Sequence, residues 1–235
     1  MGAELRFQEI ASAQRIVSKT STNVFHTIHD ESGDETKKLV NEITIFECRA
    51  LLVQISEKKL KNLLEDFLEN AETLSKKNFD ESKQETFVSL ISKIYEELNL
   101  EIQNNIKLVQ DNVNKKLISV YNGEYIIQCL ELIRETNLNL IKYFKSIKNR
   151  LDKVSEDIIK LTIGLFEYAS GLGVLLTKEE FSGEKEFPEE FTEEINSYMA
   201  SLNMFLLALK RQLGERPTRH KLTKAEEVIL SGYPV

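Results

Sequence analysis

The sequence predicts an all-α fold, an elongated antiparallel helical bundle with coiled-coil character, and three observations carry that expectation. Apolar residues recur every three or four positions through nearly the whole chain, and no stretch keeps the period of two that a strand requires. Turn formers are scarce: 9 Gly and 3 Pro in 235 residues are too few for the frequent reversals of a sandwich or a barrel. With 41% apolar and 29% charged residues, the chain can fill a core and still solvate its surface, which excludes a disordered or low-complexity tail.

Six helices follow, three of them long and central. The first covers about 3–29 and stops at Asp30-Glu31-Ser32-Gly33, where a glycine among acids breaks the pattern and Asp34 can cap the next helix. The second covers about 34–77. Its seam runs Leu39, Ile43, Phe46, Ala50, Val53, Glu57, Leu60, Leu64, Phe67, Ala71 and Leu74, in steps of four and three, with Glu57 alone out of character. The third covers about 82–122, opened by Ser82 and Glu85 in the form of a capping box and lined from Phe87 to Val120. Gly123 is read as the left-handed residue that ends it, so that Tyr121 to Tyr125 forms a tight reversal between antiparallel neighbours.

The fourth helix, about 124–176, holds a heptad register from Ile126 to Leu175, with Asn137 its single polar core position. Such a helix would be about 75 Å long, hence the expected elongation. Gly164, Gly171 and Gly173 weaken its far end. A fifth helix covers about 188–213, with Pro188 in its first turn and a face of Ile195, Tyr198, Met199, Leu202, Phe205, Leu206 and Leu209. A sixth, about 224–230, follows a basic linker and precedes a loose tail. No linker rich in Pro or Ser divides the chain, so 1–213 reads as a single bundle and 214–235 as an appendage.

Motifs that would carry chemistry are weak. His26 and His29 stand three apart near a helix end, but two imidazoles do not make a metal site and the third histidine, His220, is distant. Ser170-Gly171-Leu172-Gly173 is half a phosphate loop without the strand before it or the lysine after it. Cys48 and Cys129 sit among apolar residues and read as buried structural thiols. No cofactor is expected, and the chain reads as non-catalytic.

Charge is more informative. From Lys178 to Glu194 eight acids face two bases, against a net charge of -7 for the whole chain. Lys210, Arg211, Arg216, Arg219 and Lys221 form a basic block read as a partner contact. Lys142, Lys145, Lys148, Arg150 and Lys153 form a second, suited to an anionic surface. The overall acidity disfavours nucleic acid. Residues 158–176 are mainly apolar, but Lys160 and Glu167 interrupt them, which argues against a constitutive transmembrane helix. The start of the chain shows no secretory signal, so a cytoplasmic or other intracellular address is expected.

The function expected from these features is that of a scaffold or adaptor acting through the faces of long helices, with helical protein partners or a second copy of itself. Two alternatives stand beside it: a peripheral membrane-binding bundle using the basic patches, and a helical membrane-inserting protein using 158–209.

Overall fold

The computed structural model describes residues 7–29, 35–76, 80–147 and 189–214. They form six helices and, among the described residues, no strand: α1 (Phe7–His29), α2 (Glu35–Leu52), α3 (Lys58–Ser75), α4 (Glu81–Asn114), α5 (Val120–Ile147) and α6 (Glu189–Gln212). The expected helix over 224–230 and the far part of the expected 124–176 helix lie outside the described residues.

The helices share one apolar core. It runs from Ile10, Ile16 and Val24 on α1 through Cys48, Leu64, Phe67, Ile94, Leu98, Leu130 and Phe144 to Met199, Leu202 and Leu209 on α6. Helices α1, α2 and α3 pack on one another, α3 packs on α4, α4 on α5, and α5 on α6. Long-range pairs fix the directions. Lys19 with Glu47 and Ser12 with Gln54 make α1 and α2 antiparallel. Phe67 stacks on Phe87 at 4.7 Å while Lys59 pairs with Glu97, so α3 and α4 are antiparallel too. Tyr95 lies 6.2 Å from Phe144, and Lys145 meets Glu96, which makes α4 and α5 an antiparallel hairpin. In contrast, Tyr125 bonds Asn196 and Glu135 bonds Lys210, so α5 and α6 run in the same direction.

Three expectations need correction. The single helix expected over 34–77 is two helices, broken at residues 53–57. Glu57, the misfit of the seam, is the N-cap of α3: its carboxylate accepts from the Leu60 amide at 2.5 Å. A side chain that satisfies one of a helix's first orphan donors belongs outside the apolar stripe. The break is pinned by Ile55, which is buried, and by Ser56, whose amide and hydroxyl both donate to Glu9 of α1.

The start of α4 also differs. Asp80 caps it, accepting from the Ser82 amide at 2.9 Å, so Ser82 sits in the first turn and the Ser82–Glu85 capping box does not form.

The reversal between α4 and α5 comes earlier than Tyr121 to Tyr125. Lys115 ends α4, Lys116 adopts φ 58, and the Leu117 and Lys116 amides donate back to Asn112 and Val113 carbonyls at 2.8 and 2.9 Å. These two bonds define a Schellman closure with lysine in the left-handed position that glycine usually takes. Ser119 then caps α5 through its hydroxyl, which accepts from the Asn122 amide at 3.1 Å. Gly123 lies inside α5, where a Cβ would stand 2.2 Å from Cγ2 of Val113. Its missing side chain lets the hairpin's two backbones approach closely.

Candidate interaction surface

The most informative surface is on α2, where two apolar stripes run side by side. Ile45, Cys48, Leu52 and, just past the helix end, Ile55 are buried against α1 and α3. Ile43, Phe46 and Val53 are 50%, 74% and 78% exposed, and Ala50 between them is exposed as well. Both sets step by three and four residues, so both carry the spacing of a helix-pairing seam. The stripe expected to be core over α2 is therefore the outward one. The inward stripe lies two residues further on, about 200° round the helix. Beyond the break at 53–57, the expected core positions Leu60, Leu64, Phe67, Ala71 and Leu74 are all buried. The inserted turn resets the phase between the two halves of the seam.

Charged residues flank the outward stripe. Glu42 is exposed; Glu47 accepts from Lys19 Nζ at 3.0 Å; Arg49 donates to Glu72 of α3 at 3.1 Å. Two smaller apolar groups are also exposed: Met204 and Leu207 on α6, and Leu117, Val120 and Tyr121 where α4 turns into α5.

The basic residues singled out in the sequence are partly neutralised. Lys145 is exposed but donates to Glu96 at 2.8 Å, and Lys210 is half-buried and bonded to Glu135 of α5. Lys142 and Arg211 are exposed on α5 and α6. Lys148, Arg150, Lys153, Arg216, Arg219 and Lys221 lie outside the described residues, as do the Ser170–Gly173 motif, residues 158–188 of the insertion candidate 158–209, and His220. The side chains of His26 and His29, in the last turn of α1, lie outside the described residues too.

Asn137, the polar position of the α5 seam, is buried at 1% exposure. Its Nδ2 has no hydrogen-bond partner, and neither amide atom of Asn99, buried on the facing stretch of α4, has one. Both cysteines are free and buried. Thr20 donates to Cys48 Sγ at 3.4 Å, and burial raises this thiol's pKa. Burial pushes Cys129 up to about 12. A thiol held protonated in apolar surroundings is a poor nucleophile and a poor metal ligand.

Among the described residues no group of three or more His, Cys, Asp or Glu side chains is placed to hold a metal ion, and no helix is long and apolar enough to cross a membrane. The sequence reading missed the outward stripe because it assigned those residues to the core. The signal was present, since α2 carries two complete stripes where an ordinary surface helix has one. Compared with protein-family models, curated protein sequences and solved structures, the chain gives no significant match to any of the three.

Proposed function

We propose that this chain is a non-catalytic scaffold or adaptor that works through protein–protein contacts, with the outward face of α2 as its main docking surface. The observation that carries this reading is the exposure of Ile43 and Phe46 on α2 and of Val53 in the turn just past its end, at seam spacing beside a stripe that already fills the core. An isolated exposed Leu or Ile is ordinary, but a contiguous apolar row on a regular helix marks a surface that another helix can cover. Helix-in-groove recognition reads such rows as anchors three, four and seven residues apart.

An anionic membrane surface receives less support as the target. The ion pair to Glu96 offsets the charge of Lys145, and the outward stripe of α2 is flanked by acids as well as by Arg49.

A photo-crosslinking amino acid placed at position 46 tests the reading in cells. It should capture a helical protein, and the adduct should vanish when Val53→Glu is added. Adducts to lipid, or none, would exclude α2 as a protein-docking face.

A further inference from the structure

Building on α2 as a docking face, we infer that its occupant is a second copy of this chain, through an antiparallel α2–α2 pair about a two-fold axis. Charge and length on the helix itself point to this arrangement. In seam terms Ile43 and Ala50 take one core position and Phe46 and Val53 the other, which places Glu42 and Arg49 on one flank and Glu47 on the other. A parallel, in-register pair would bring Glu42 of each copy beside Glu47 of the other, two like-charge contacts. The antiparallel register that sets Ile43 opposite Phe46 of the second copy overlaps the two helices over all but the first two residues of each. The same register brings Glu42 beside Arg49 of the second copy, and symmetry repeats the contact. Near-complete overlap and opposite-charge flanks thus coincide in one register. Arg49 already donates to Glu72 on its inner side, and its fork of donors can serve both carboxylates.

The size of the patch agrees. With a whole Phe side chain presenting roughly 200 Å² and Ile and Val somewhat less, the exposed fractions leave roughly 400 Å² of apolar surface. Apolar atoms make up about 60% of a typical interface, so this row corresponds to roughly 700 Å² per chain. That is close to the ~800 Å² per partner of a standard-sized interface, and it suits an association in the micromolar range. An isologous two-fold contact also closes on itself, so pairing stops at two copies.

Sedimentation of the full chain from about 1 to about 100 μM tests the pairing. The mass should rise from one chain to two, and Phe46→Glu should hold it at one while circular dichroism and melting stay those of the parent. Glu42→Arg should weaken association by about tenfold, and adding Arg49→Glu together with Glu72→Gln, which spares the new carboxylate a like-charge neighbour, should restore it to within about threefold, because the swap rebuilds both flanking pairs with reversed sign. A chain that stays monomeric at every concentration, a dimer that Phe46→Glu leaves intact, or a swap that fails to restore association would each overturn the inference. A monomer that still captures another protein through position 46 would overturn self-pairing alone. A monomer without any such adduct would remove the docking reading as well.

Discussion

Asn137 sits in the best apolar register of the chain, buried to 1% exposure with an amide nitrogen that no acceptor meets. Leaving a buried donor unsatisfied costs about 1–3 kcal/mol. Asn137→Leu keeps the branched shape and removes the donor, so it should stabilise the fold by about 1 kcal/mol, less whatever the larger methyl groups cost in packing, measured as a higher urea midpoint at unchanged slope. The cysteines make a separate prediction. Burial lifts Cys129 from the ordinary 9.0 to about 12 and raises Cys48 as well. Above pH 9 the unfolded chain gives up a thiol proton that the folded chain keeps. This contribution to stability is therefore complete below pH 9 and is lost as the pH climbs toward 12. Unfolding free energy should fall between pH 9 and 11, less steeply in Cys129→Ala, and neither thiol should react with iodoacetamide in the native protein at pH 8.

At the scale of elements, the connection between α4 and α5 separates two roles that one glycine was expected to fill. Lys116 holds the left-handed turn at φ 58, a conformation that costs a residue with a Cβ about 1–2 kcal/mol. Lys116→Gly should raise stability by about 0.5–1 kcal/mol once the extra freedom of the unfolded chain is deducted. Gly123→Ala should lower stability by about 1–3 kcal/mol although alanine is the better helix former, because its methyl collides with Val113. Thermal or urea unfolding of both variants checks the pair. Helix number and type over the described residues were largely legible in the sequence, since periods of three and four repeat along every element. The caps were less so. Asp80, Glu57 and Ser119 become caps only when the neighbouring stripes find their partners, and no Gly or Pro marks the break at 53–57.

At the scale of the whole molecule, the division of α2 between inside and outside decides which surface is available. Phe46→Ser should leave stability within about 0.5 kcal/mol of the parent, whereas Leu52→Ala should cost about 2–5 kcal/mol, because only the second residue faces the core. The reverse ranking in a melting experiment would mean that the expected seam is the core after all. Periodicity alone could not choose between these stripes. Ile43, Phe46, Ala50 and Val53 repeat as regularly as Ile45, Cys48, Leu52 and Ile55, and the first set also joins smoothly to the seam of α3 if the helix is imagined unbroken. The choice is tertiary: α1 meets Cys48 of the second set through Thr20 and the Ile16 carbonyl, and its Lys19 and Glu9 bond Glu47 and Ser56 beside that set.

The shared direction of α5 and α6 has a consequence for how the chain reaches its native state. The α4–α5 hairpin closes over residues 115–119 and can form as soon as both arms leave the ribosome, whereas α6 must wait for residues 148–188 to be synthesised before Lys210 can find Glu135. Until then the flank of α5 that carries Tyr125 and Glu135 stands uncovered, so a nascent chain stalled before residue 189 should engage a chaperone there and release it when α6 docks.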